Sequence, residues 1–152
     1  MFSSVFFLRS CCQFDNGSKL IDDFESYMSI EEARLMLPSH LRQWEVFIEQ
    51  PDFKVILVKN YQSLEFVGQL RLVFTDGKNL SRTCFFTPEM QKYVESLEKK
   101  NQIQLKKSML LKKTGYFLEA EIFPHTEVYV RDDFKGEICW SDKCFDEHYF
   151  FY

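Results

Sequence analysis

The chain has 152 residues, 45% apolar and 28% charged, with a formal net charge of −4 and 17 phenylalanines. At this length a domain buries roughly 70% of the surface its unfolded form exposes, so a core needs no staples, and the composition excludes a disordered chain. No stretch approaches the roughly 20 apolar residues of a membrane span, and no repeat or linker divides the sequence, which implies one domain over residues 1–152.

Ser4 to Gln13 reads as an opening strand that Asp15-Asn16-Gly17-Ser18 breaks with turn chemistry. The start does not read as an export signal: nothing basic precedes the short apolar run Val5 to Leu8, Arg9 interrupts it, and Leu8-Arg9-Ser10-Cys11 has only a faint likeness to a lipoprotein cleavage box. The expected location is the cytoplasm. Ser29 with Glu32 forms a capping box that opens a helix, and Pro38 ends it. Leu41, Trp44 and Ile48 then predict a second helix from Ser39 that stops before Pro51.

After Pro51 the period shortens. Val55 to Val58 is a buried-strand run, and Leu70, Leu72 and Phe74 form the apolar face of another strand. Asp76-Gly77 marks a hairpin, with Arg82 to Phe86 returning antiparallel. Thr87-Pro88-Glu89 caps a helix over Pro88 to about Lys100, whose Met90, Val94 and Leu97 face the sheet. Ile103 to Lys113 fits neither helix nor strand periodicity cleanly. Tyr116 to Phe123, Thr126 to Arg131 and Gly136 to Ser141 read as strands, the last two joined through Asp132 to Gly136. The predicted fold is α+β: a mainly antiparallel sheet of five to seven strands with two or three helices packed on it.

No phosphate loop, dinucleotide fingerprint, nucleophile elbow or metalloprotease helix occurs. The sequence therefore implies neither an enzyme nor a cofactor. Five cysteines without paired spacing point to reduced thiols. Cys139-x4-Cys144-x3-His148 has a metal-like spacing, but the second close pair of a structural zinc site is missing. Cys144, Asp146 and His148 would serve as nucleophile, orienter and base only if folding brought them into a triad, which makes a small thiol-dependent enzyme one alternative. Six lysines between Lys99 and Lys113 make a single-stranded nucleic-acid-binding domain the other. The acidic sequence pI of about 5.4 and the acid-rich flanks oppose nucleic acid as a partner.

The charge distribution is uneven: nine acids face Lys19, Arg34 and Arg42 between Asp15 and Asp52, and from Arg131 onward six acids face three bases. In the C-terminal segment Asp132, Asp133, Glu137, Asp142, Asp146 and Glu147 alternate with Phe134, Trp140, Phe145, Tyr149, Phe150 and Tyr152. Steering acids interleaved with aromatic anchors suit a protein interface, and Asp132, Asp133, Glu137, Trp140, Asp142, Asp146, Glu147 and Tyr149 are the candidate partner-binding residues.

A small, acidic, aromatic-rich α+β chain with this acid-aromatic tail and no enzyme motif resembles the immunity proteins of contact-dependent growth inhibition systems. The resemblance implies a cytoplasmic protein that binds the toxin domain of a large surface effector, commonly a nuclease such as a ribonuclease, and occludes its active site. Acids from Asp132 onward, or in the Asp22-Asp23 to Glu32 region, would then stand where RNA phosphates sit. The family carries no residue pattern that assigns individual roles.

Overall fold

The computed structural model describes residues 17–76, 79–110, 113–119 and 125–145. These residues form an α+β fold in which eight strands make one antiparallel sheet: β1 (Glu45–Glu49), β2 (Phe53–Ser63), β3 (Phe66–Thr75), β4 (Asn79–Phe86), β5 (Gln104–Leu110), β6 (Lys113–Glu119), β7 (Thr126–Arg131) and β8 (Ile138–Asp142). Helix α1 spans Ile30–Met36 and helix α2 spans Met90–Asn101. Six of the strands fall where the sequence predicts strands; β1 and β5 are the other two. The predicted strand over Ser4 to Gln13 lies outside the described residues, as does the end of the one over Tyr116 to Phe123.

The spatial order is β1-β2-β3-β4-β8-β7-β6-β5. Two four-stranded meanders are thus joined by α2, which carries the chain from the middle of the sheet to its far edge. The meanders meet only where β4 pairs with β8, through Arg82↔Ser141, Thr83↔Trp140, Cys84↔Cys139 and Phe85↔Ile138.

Side chains alternate across this sheet with the period of two that strand geometry imposes. One face carries the transverse rows Ile56-Leu72-Thr83-Trp140-Val128 and Val58-Leu70-Phe85-Ile138-Val130. Apart from Thr83, these side chains belong to the main core, together with Met90, Tyr93, Val94 and Leu97 of α2 and Ala33 of α1. The spacing of the α2 residues puts them on one helical stripe, so α2 packs on the sheet as its sequence predicts. Phe85, Tyr93, Phe66 and Tyr61 meet edge-on or tilted, with ring centroids 4.9 to 6.0 Å apart, within the range favoured by the ring quadrupole.

Local signals account for α1. Ser29 Oγ accepts from the Glu32 amide at 3.1 Å, and the Ser29 amide donates to Glu32 Oε1 at 3.0 Å. These bonds, the one from the Ser29 backbone foremost, hold the Glu32 carboxyl below the usual range. The helix ends before Pro38, where Leu37 is extended, as a pre-proline residue must be.

The helix predicted from Ser39 to Gln50 is instead a single 3-10 turn at Ser39–Leu41 followed by β1. Leu41, Trp44 and Ile48 match a helical period, but Val46, Phe47 and Ile48 fit a pleated edge, and pairing with β2 overrides so short a pattern. Trp44 receives the Arg34 guanidinium 4.5 Å above its ring. Helix α2 starts at Met90 rather than Pro88, because the Thr87 hydroxyl donates to the Val67 carbonyl of β3 at 3.2 Å instead of capping. Ile103 to Lys113, ambiguous in sequence, holds β5, which is defined by its pairing with β6.

Two substitutions probe this framework. Replacement of Ser29 by Ala removes the box and is expected to cost about 1 kcal/mol in chemical denaturation. At Gly68 an added Cβ would stand 1.9 Å from the Phe86 carbonyl oxygen; Gly68→Ala must push β3 and β4 apart, with an expected loss of about 2 to 3 kcal/mol, and a near-neutral melting temperature would show that the contact is not tight.

Candidate functional site

The irregular segment before α1 presents two adjacent exposed acids, Asp22 and Asp23. Lys19 and Glu25 form an isolated bridge that closes a tight loop, with Leu20, Ile21 and Phe24 buried inside. Three sheet strands pin it: the Ile21 amide donates to Thr83 Oγ1 at 3.2 Å, Thr126 Oγ1 donates to the Lys19 carbonyl at 2.7 Å, and Ser26 Oγ donates to Asp142 Oδ2. The loop tip, Asp22-Asp23, therefore cannot swing freely. Asp22 takes a left-handed conformation, φ 51°, which aspartate tolerates better than most residues.

A bulge in β2 between Val58 and Tyr61, with Asn60 at φ 60°, turns Tyr61 toward that tip. The Tyr61 hydroxyl donates to Asp22 Oδ2, Ser63 Oγ donates to Oδ1 at 3.1 Å, and Ser63 Oγ lies 2.6 Å from the Tyr93 hydroxyl of α2. Asp22 is thus oriented by two hydroxyls, one of them braced by the core helix. Asp22, Asp23, His40, Tyr61 and Lys100 line an open cleft of about 480 Å³, with Met36, Leu41 and Val67 as apolar wall. No ion pair joins Asp22 or Asp23 to a cation among the described residues. Met36 and Val67 are 37% and 53% exposed, so the cleft offers apolar contact beside fixed negative charge.

A second polar cluster lies on the opposite face of the sheet, in the row Arg71-Cys84-Cys139-Tyr129. Cys84 and Cys139, directly opposite with Cα atoms 4.1 Å apart, form a disulfide. Arg71 grips Glu137 with two prongs, Nε to Oε2 at 3.0 Å and Nη2 to Oε1 at 2.7 Å, and the same Nη2 reaches Cys84 Sγ at 3.5 Å. Arg131 approaches Glu137 at 3.8 Å. Arg82 is buried beside Tyr129, and desolvation pulls its guanidinium down to about 10.

The reading of the cysteines as reduced thiols is therefore corrected for Cys84 and Cys139; Cys11 and Cys12 lie outside the described residues. Cys84 and Cys139 are 55 residues apart, and no local spacing marks such a pair; the β4–β8 register alone brings them together. Cys144 is disulfide-bonded as well. The metal-like spacing loses Cys139 to this bond, and His148 lies outside the described residues. Donor atoms of Cys84, Glu137 and Cys139 do cluster within 4.8 Å of one another, but the sulfurs are bonded together and the carboxylate is held by Arg71.

The candidate partner-binding residues that are described do not form one surface. Asp132 is exposed and opens the 3-10 turn Asp132–Phe134, which includes Asp133. Glu137 is half-buried in its ion pairs. Trp140 is 2% exposed and fills the core, and Asp142 is 4% exposed and accepts from Ser26 and from the Cys144 amide. Trp140 and Asp142 are thus consumed by internal packing, since an aromatic predicted from sequence to anchor a partner is as often core. Asp146, Glu147 and Tyr149 lie outside the described residues. The lysine-rich stretch is also divided: Lys99 and Lys100 end α2, Gln102 turns the chain at φ 55°, and Lys106 and Lys107 belong to β5.

Asp22 is legible in the sequence as part of the acidic Asp22-Asp23 to Glu32 region, but not as a residue with fixed partners. Tyr61, Ser63 and Tyr93, which orient it, carry no local signal, because the network closes over 30 to 41 residues of chain.

Comparison with protein families, with curated proteins and with solved structures returned no match. No helix among the described residues is long and apolar enough to cross a membrane.

Burial lifts the phenols of Tyr61, Tyr93 and Tyr129 above their usual value, and the Asp22 charge lifts Tyr61 further. The folded state favours the neutral phenol, so this stabilisation is complete below the unfolded value of about 10 and is lost as pH rises beyond it. Arg82 works in the opposite direction over the same range, but one group opposes three. In an alkaline titration followed by tyrosinate absorbance, these three of the seven tyrosines should ionise only together with loss of the circular dichroism signal. Smooth ionisation of all seven in the folded protein would contradict the buried network.

Proposed function

We propose that this protein is a cytoplasmic inhibitor of the immunity type, which binds a cognate toxin domain of basic surface and blocks it by occupation rather than by chemistry. The observation that carries the reading is the exposed acid pair Asp22-Asp23, with Asp22 held by two hydroxyls and neither acid in an ion pair among the described residues, at the lip of a cleft with exposed apolar walls. Acids held in place before binding forfeit little side-chain entropy when a cation arrives, and an acidic patch raises the encounter rate with a basic partner. Where the toxin is a nuclease, its phosphate-binding groove supplies that basic surface, and the two carboxylates would take the place of substrate phosphates.

Of the two acidic regions the sequence offers, the loop before α1 is favoured over the C-terminal segment, whose Trp140 and Asp142 are internal. Asp132 remains an exposed acid available at a rim. Tyr61 and Ser63 act by orienting Asp22 and are positioning residues.

The test is capture with the tagged full chain from its source cells, followed by assay of any captured toxin domain with and without added protein. Inhibition of nuclease activity at stoichiometric ratio is the expected result. Asp22→Lys with Asp23→Lys should weaken binding about tenfold or more, about 1.4 kcal/mol, with a steep loss of association rate and an unchanged fold by circular dichroism. Recovery of RNA or DNA alone, bound in a salt-sensitive way, would transfer the function to the lysine-rich stretch.

A further inference from the structure

The disulfide sits at the place where its loss matters most. Cys84 and Cys139 form one of the four residue pairs by which β4 and β8 join the two meanders, and both are fully buried. A bond needed only for stability would be indifferent to what surrounds its sulfurs. Here Arg71 Nη2 lies 3.5 Å from Cys84 Sγ, and the same guanidinium is fixed in place by Glu137. Arg82 stands two residues from Cys84 on the same strand and face, also buried. The Glu137 carboxylate, within 4.8 Å of both sulfurs, offsets one of these charges, but with Arg71, Arg82 and Arg131 all on this face the surroundings of Cys84 remain net positive, whereas a disulfide carries no charge.

We infer that Cys84–Cys139 is a reversible redox lock on the sheet, opened by a low-molecular-weight thiol, with Arg71 receiving the sulfur that departs as thiolate. In the first step a thiolate of the reductant attacks Cys139 Sγ; the new S–S bond forms there, the Cys84–Cys139 bond breaks, and its electron pair leaves on Cys84 Sγ beside Arg71. A second reductant thiolate then attacks the mixed disulfide at the reductant's own sulfur, releasing Cys139 as a thiolate that takes up a proton. Two thiols are oxidised to one disulfide, and the protein disulfide gains two electrons. A leaving thiol of lowered basicity departs faster, and stabilisation of the thiolate makes the disulfide easier to reduce. Because both sulfurs are buried, exchange waits on local opening of β8, a strand of five residues. Disulfides are rare in reducing compartments unless they are redox-active, so such a pair is compatible with a cytoplasmic protein as a structural disulfide is not. When the lock opens, the fold keeps its four register pairs but loses the covalent constraint on a loop of 55 residues.

The experiment equilibrates the full chain in glutathione buffers of graded ratio, quenches with acid, alkylates, and quantifies the peptides containing Cys84 and Cys139 by mass spectrometry, which separates this bond from that of Cys144. Both oxidation states are expected to populate across the accessible ratios, with a mixed disulfide trapped on Cys139 rather than Cys84. Arg71→Met should make the pair about tenfold harder to reduce. Glu137→Gln, which frees the guanidinium from its carboxylate, should make it easier. General loosening of the fold would ease reduction in both variants, so opposite shifts identify the role of Arg71; Arg71→Lys, which keeps the charge, serves where Arg71→Met does not fold. Reduction should lower the melting temperature of the wild-type chain by about 5 to 15 °C more than that of the Cys84→Ala/Cys139→Ala double variant. A pair that stays fully oxidised in a large excess of reduced glutathione, or shifts of the same sign in the Arg71→Met and Glu137→Gln variants, would overturn the inference.

Discussion

The pairing of β4 with β8 is the constraint on which the rest of this structure depends. Each meander is built from neighbours in sequence, whose pairing needs only short connections, but the two halves share a sheet only through this one antiparallel seam. Closing it brings residues more than fifty positions apart into contact and must offset the corresponding loss of chain entropy. The molecule concentrates its strongest interactions there. Trp140 and Ile138 enter the core on one face, and the disulfide and the Arg71–Glu137 pair straddle the seam on the other. By the loop-entropy argument the disulfide alone contributes about 4 kcal/mol.

The two faces of the sheet solve different problems. The helix-covered face is apolar and aromatic, and it derives its stability from burial. The other face mixes small apolar clusters, Phe53 with Val55 and Val73, with buried cations. Burying a guanidinium is costly unless it is partnered, and Arg71 meets that condition with two charge-assisted bonds to one carboxylate, the geometry that arginine and not lysine offers. Replacing either partner would strand the other in a place of low polarity.

The seam also connects to the candidate binding loop. Asp142, at the end of β8, accepts from Ser26, Thr83 of β4 receives the Ile21 amide, and Thr126 of β7 holds the Lys19 carbonyl. The loop that presents Asp22 and Asp23 is thus fastened to strands of both meanders. Its precision as a binding surface depends on the seam remaining closed, which gives the redox state of Cys84 and Cys139 a physical route to the proposed function. The loop is held because it is tied to strands on both sides of that junction, and in the proposed function that is what would make its acids useful to a binder.

Local chemistry in the sequence was sufficient for the elements whose causes are local. The capping box at Ser29, the stop at Pro38, the apolar stripe of α2, the alternation in β3 and the run in β2 each follow from residues within a turn or a strand of one another, and the α+β class follows from their order. Where the signal was a three-residue coincidence of spacing, as at Leu41, Trp44 and Ile48, the edge of β2 decided in favour of a strand. The sites were far less legible. Trp140 and Asp142 have the chemistry of interface residues, and only the tertiary structure shows that they face inward. Asp22 meets Tyr61 and Ser63, and Cys84 meets Cys139, because a sheet folded in this order makes distant residues neighbours. Strand register is a property of pairs of segments, so no reading of one segment at a time contains it.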